Sequence, residues 1–234
     1  MARRASTGNS VRNTSLVLTK PAGTVDGDVV VLYAINDAAA DAITFPAGFA
    51  ALASSPLQNT FDSQRCAAAW KVAASEPASW TVTCPSDVIG GAVSFSGRSG
   101  VLTASSGLST GATGAASPAA CNATGLTAAA GDDLFWICGS DNDSGVDVTF
   151  TAPSGFTIDQ DLWPGSADFR NLGSAYRDNF AGGATGTVTG TATFASGSAA
   201  RATFLLAFAA AGGGGGGTQV PYQPNYQRGP VMAQ

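Results

Sequence analysis

A long internal repeat constrains every reading of this chain. Gly27-Asp28-Val29-Val30-Val31-Leu32-Tyr33, a turn running into an apolar stretch, returns as Gly131-Asp132-Asp133-Leu134-Phe135-Trp136-Ile137. Pro46-Ala47-Gly48-Phe49 returns as Pro153-Ser154-Gly155-Phe156, and Cys66-Ala67-Ala68-Ala69-Trp70-Lys71 as Leu172-Gly173-Ser174-Ala175-Tyr176-Arg177. Trp80-Thr81-Val82-Thr83 aligns with Gly186-Thr187-Val188-Thr189. Four motifs in one order, at offsets of 104 to 107, mark a duplication. Each half closes on an apolar stretch, Ala92-Val93-Ser94-Phe95 and Phe204-Leu205-Leu206-Ala207-Phe208.

The repeated unit reads as β. Ala, Gly, Thr, Ser and Val dominate, and fifteen of the sixteen acids are Asp, with Glu76 the exception. The charged residues that surface helices normally draw on are scarce: besides the single Glu76, Lys20 and Lys71 are the only lysines. Val and Thr favour pleated surfaces, whereas Gly, Asp and Pro punctuate them. Short strands separated by such turns, without helical periodicity between them, predict a sandwich or barrel. The expected fold is all-β: two tandem antiparallel β-sandwiches, jelly-roll or immunoglobulin-like, over 15–98 and 117–211. A Ser/Gly/Ala-rich linker at 99–116 joins them, and one sandwich merged from both halves is the rival. Val29, Val31, Tyr33, Trp70, Trp80, Val93, Leu134, Trp136, Phe204 and Leu206 are the expected core.

The ends differ from the body in charge. Residues 1–25 carry Arg3, Arg4, Arg12 and Lys20 with no acid, whereas 26–211 hold six bases against sixteen acids. Residues 1–14 are read as a basic arm. After the six glycines at 212–217 comes an acid-free Pro/Tyr/Gln segment. Glycine runs behave as flexible coil, and such a tail cannot build its own core. Its anchoring side chains would be Val220, Pro221, Tyr222, Tyr226, Arg228 and Val231. At the other end Arg3, Arg4 and Arg12 would meet acidic surface.

Catalytic chemistry finds little to use. With no histidine, no Ser-His-Asp or Cys-His nucleophile and no His-ligated metal site can be assembled. Gly107-Leu108-Ser109-Thr110-Gly111 fits the serine-hydrolase pattern, but that motif needs a strand before it, a helix after it and a histidine partner. Paired-carboxylate glycoside hydrolysis would rest on aspartates alone, apart from Glu76. Asp141, Asp143 and Asp147 are a weak calcium candidate; Val146 and Ala152 occupy the places where an EF-hand loop needs glycine and an acid. A solvated turn is the simpler reading of that loop. Trp163, near Asp159, Asp161 and Asp168, suits either a sugar platform or a cap on a sandwich end. Cys66, Cys84, Cys121 and Cys138 show no metal-ligand spacing and are not duplicated between the halves, so four free thiols are expected. No apolar run suits a secretory signal or a membrane span.

Several of these stretches carry a resemblance. Lys20-Pro21-Ala22-Gly23-Thr24, Gly27-Asp28-Val29-Val30-Val31, Ile43-Thr44-Phe45-Pro46-Ala47-Gly48-Phe49 and Ser75-Glu76-Pro77-Ala78-Ser79-Trp80-Thr81 resemble the first half of a family of phage and prophage virion structural proteins. Pro153-Ser154-Gly155-Phe156 and Gly183-Ala184-Thr185-Gly186-Thr187 echo its second half, and the likeness spans 15 to 210. It implies a non-enzymatic virion component without cofactor, made in the host cytoplasm. The expected role is capsid decoration or cementing, in many copies or as a homo-oligomer on the major capsid protein, with no nucleic acid or membrane partner. A receptor- or glycan-binding module of a head or tail fibre is the alternative.

Overall fold

The computed structural model describes residues 3–52, 55–59, 64–109, 117–142, 146–165, 170–195 and 199–210, and no helix forms among them. The first half supplies β1 (Arg3–Thr19), β2 (Val29–Asn36), β3 (Ala50–Ala51), β4 (Leu57–Asn59), β5 (Gln64–Val72) and β6 (Ser79–Phe95). The second supplies β7 (Arg98–Ser109), β8 (Ala119–Ala123), β9 (Thr127–Ala128), β10 (Asp133–Asn142) and β11 (Val148–Thr151). It continues with β12 (Thr157–Leu162), β13 (Arg170–Arg177), β14 (Gly183–Ala184), β15 (Val188–Phe194) and β16 (Ala199–Ala210).

The duplication is visible in the strand order. The first half's sheet runs β1-β6-β2-β5-β3, with β4 also on β5; the second's, read in the same sense, runs β7-β16-β10-β13-β12. All these pairings are antiparallel. The halves differ in the outer ribbon. β1 and β6 are single 17-residue strands whose pairing is irregular between Asn9 and Ser15. In the second half the same ribbon is cut in two: β7 pairs with β16, and β8 with β15, which also binds β11. Register breaks bend a ribbon. The bend brings Leu16, Leu18, Trp80 and Val82 onto the outer face of their own sheet, against Val30 and Leu32. In the second half Cys121, Val188 and Phe194 cover Leu134 and Trp136 in the same way.

Successive side chains of a strand point to opposite faces. β2 and β10 are covered on both, so their sequences are continuous apolar runs rather than alternations. Val30, Leu32 and Ala34 face the first half's own cluster, and Leu134, Trp136 and Cys138 the second's. Val29, Val31, Tyr33 and Ile35 meet Phe135, Ile137, Leu172, Phe204, Leu206 and Phe208 in a third cluster that draws on both halves. Its centre is aromatic. Phe135 lies edge-on to Tyr33 and to Phe95, each 5.6 Å away between centroids, and Phe95 stacks on Phe208 at 4.4 Å. Nine of the ten expected core residues are buried; Trp70 is half-buried, its ring beside Gly100.

Two segments expected outside the sheets lie within them. Residues 3–14, read as a basic arm, form most of β1, and 99–109, read as part of a linker, form nearly all of β7. The reason is common to both: β6 and β16 each present an edge whose backbone groups need a partner, and β1 and β7 provide it.

Because the middle cluster joins the halves, Phe135→Ala is expected to lower the unfolding free energy by about 3–5 kcal/mol. Denaturant titration followed by fluorescence and dichroism should show one transition for wild type. Two separated transitions would mean that the middle cluster does not couple the halves.

Candidate functional site

The basic residues near the start find acids within the same chain. Arg4 Nε donates to Asp28 Oδ2 at 2.6 Å, and Arg12 Nε to Asp87 Oδ2 at 3.2 Å. Arg3 Nη2 lies 3.1 Å from Asp159 Oδ1, with its guanidinium 4.5 Å above the Tyr176 ring. Asp28 and Asp159 have almost no exposed side chain, so these are pairs that fasten β1 rather than contacts loosely held in water. Arg3, Arg4 and Arg12, expected to meet a partner's acidic surface, are thus engaged by this chain's own aspartates.

Asp159 is the centre of a polar seam between the halves. Ser6 Oγ donates to its Oδ1 at 2.8 Å, and Gln160 Nε2 donates to Ser6 Oγ at 2.8 Å. Ser174 Oγ donates to Asp159 Oδ2 at 3.5 Å and lies 3.1 Å from the Tyr33 hydroxyl. Burial pushes the Asp159 carboxyl above the usual range, opposed by Ser6 and Arg3. Burial likewise raises the Tyr33 hydroxyl, which stays protonated. The Asp159 carboxylate thus takes up Ser6, Ser174 and Arg3, and the set ties β1 to β12 and β13. Arg170, fully buried, lies 3.5 Å from Asp37 and also donates to the Asp87 carbonyl.

Asp141 is buried in β10 opposite Arg170, Asp147 is exposed, and Asp143 lies outside the described residues. No group of three or more His, Cys, Asp or Glu able to hold a metal occurs among the described residues. Trp163 is half-buried, but Asp159 turns inward to Arg3 and Asp161 accepts from the Phe150 N–H at 3.3 Å. Neither carboxylate flanks a sugar platform. Gly107, Leu108 and Ser109 lie in β7, and Thr110 and Gly111 are outside the described residues. All four cysteines are free and buried, and burial raises the Cys66 and Cys121 thiols, which suppresses thiolate chemistry. Val220, Pro221, Tyr222, Tyr226, Arg228 and Val231 lie outside the described residues.

One concavity was not anticipated from sequence. A cavity of about 290 Å³ opens at the end of the second half, lined by Leu134, Phe156, Arg177, Phe180, Thr187 and Val188. The Arg177 guanidinium lies 5.0 Å above the Phe180 ring. The available signal was charge: Glu76 stands five places after Lys71, whereas beyond Asp178, which accepts from the Arg3 N–H, the stretch Asn179–Gly186 after the repeat partner Arg177 holds no acid.

Burial raises Asp133 and Asp161 as it does Asp159. The folded state therefore holds these protons more tightly than the unfolded chain. Stability carried by the protonated forms is present below the ordinary aspartate value, about 4, and is lost as pH rises through the elevated ones. Asp159→Asn should flatten the fall in unfolding free energy above pH 4, by at most about 1.4 kcal/mol per pH unit. Denaturant titrations across that range check this; an unchanged slope would place the linkage elsewhere.

Compared with known proteins, the chain matches no family model, no curated protein and no solved structure.

Proposed function

We propose that this chain is a bacteriophage virion structural protein that decorates the capsid surface and is held there by residues 212–234. One observation carries the reading: the way the tail is rooted. It continues from β16, which is hydrogen-bonded along both edges, to β10 and to β7. The same strand sets Phe204, Leu206 and Phe208 into the middle cluster. Load applied through the tail would pull along a strand held on two sides, so many hydrogen bonds would have to shear together. A tether belongs on such a strand.

The charge distribution supports the same choice of end. Arg3, Arg4 and Arg12 are neutralised internally. The tail holds Arg228 and no acid, which suits an acidic neighbour such as the body of another copy. Prolines 221, 224 and 230 lower the entropy lost on docking, because their φ is already fixed. Val220, Tyr222, Tyr226 and Val231 would supply the apolar contact. We read the two halves as copies of one sandwich, presented in many copies on the major capsid protein, with no cofactor and no catalytic step.

Deleting 212–234 is expected to leave the dichroism spectrum and unfolding midpoint unchanged while abolishing incorporation into particles. If the truncated protein coats particles at full occupancy, the tail is not the anchor and the decoration reading fails.

A further inference from the structure

The cavity acquires a meaning when the two halves are laid over each other by their hydrogen bonds. The Pro46–Phe49 turn, closed by Phe49 N–H to Pro46 C=O, recurs as Phe156 N–H to Pro153 C=O. Just before it, the bridge Thr44–Thr83 recurs as the pair Thr151–Thr191. That register sets Val188 where Trp80 stands, two residues beyond the Gly186 suggested by sequence. Likewise Lys71 opposite Val30 corresponds to Arg177 opposite Leu134. Ala73, bonded to Gly27, corresponds to Phe180, bonded to Gly131.

In the first half this place is full. The Trp80 indole is buried, edge-on to Phe49 with centroids 5.8 Å apart. Its Nε1–H donates to Glu76 Oε2 at 3.0 Å, and Glu76 Oε1 lies 2.7 Å from Lys71 Nζ. Ring, carboxylate and cation thus form one closed set. In the second half the ring has become Val188 and the carboxylate is missing, while the cation remains as Arg177. Phe180, larger than Ala73, fills part of the space and lies beneath the guanidinium. About 290 Å³ stays open, near the small end of ligand pockets and suited to one ring system. Among the described residues no ion pair is formed by Arg177.

We propose that this cavity binds a small planar aromatic carboxylate. Its ring takes the place that Trp80 fills in the first half, against Phe156 and Val188, and its carboxylate meets Arg177 as Glu76 meets Lys71. The two missing pieces of the first half's set are a flat ring and an anion, and one ligand carrying both restores it. Thr187 at the rim is available for a further hydrogen bond to a ring substituent. This site goes beyond the decoration reading and does not depend on it.

Calorimetric titration of the full chain with indole-3-acetate, indole and tryptamine tests it. Indole-3-acetate should bind about tenfold or more tightly than tryptamine, which presents an ammonium to Arg177 instead of a carboxylate. Arg177→Gln should erase that preference while leaving weak indole binding, and Val188→Trp should abolish binding of both rings. Lys71→Gln in the first half should change nothing at the cavity. Equal affinity for the anion and the amine, binding that survives Val188→Trp, or no binding of either ring overturns the proposal. The comparison of ligands on the unmodified chain stands even where a variant fails to fold.

Discussion

The stack of Tyr33, Phe95, Phe135 and Phe208 between the two facing sheets is the contact on which the other arrangements depend. β2 and β10 have no solvent face, so each must be covered twice. One cover is built locally, by the bent ribbon of the same half. The other comes from the opposite half, and the four rings sit where the two meet. Aromatic pairs in edge or offset geometry add about 0.5–1.5 kcal/mol each to the burial of their surface. They also fix how the sheets slide past each other, because a ring shifted by one residue would strike a neighbour rather than a gap.

The same interface governs the charges. The Tyr33 hydroxyl leaves the stack and reaches Ser174, which leads to Asp159 and so to Ser6 and Arg3. An acidic body thereby draws its basic first strand across the joint between its halves. A buried carboxylate is costly unless paired, and pairing by Arg3 plus hydrogen bonds from two hydroxyls offsets that cost. Removing the partner and leaving Asp159 in place would therefore hurt more than replacing both.

Much of the architecture was legible in the chain. The Gly-Asp turns at 27–28 and 131–132 locate β2 and β10, and the strand order repeats as the motifs do. The core residues followed from apolar runs. What escaped has physical causes. Alternation tells which side of a strand is buried but not against which sheet, so Phe135 reveals burial and not that its neighbours are Tyr33 and Phe95. A basic, Asn- and Ser-rich segment such as 3–14 looks like an arm because its pairing is backbone pairing, which side chains report poorly. The register at Trp80 slipped by two residues because Thr-x-Thr alternation matches itself at every second position. Only the bridges at Thr83 and Thr191 fix it, and with it the origin of the cavity.

Placing Phe204, Leu206 and Phe208 in the cluster that unites the halves sets the order in which a ribosome can finish this molecule. The first half can pair β1 with β6 and β2 with β5 as soon as it emerges, but Val29, Val31, Tyr33 and Phe95 then face water. β10 covers part of that face, and the rest waits until β16, the last strand described, has been made. Until then the nascent chain carries an exposed apolar sheet face, the kind of surface that holding chaperones recognise and that neighbouring nascent chains can adhere to. That interval makes the speed of translation through the second half a determinant of yield.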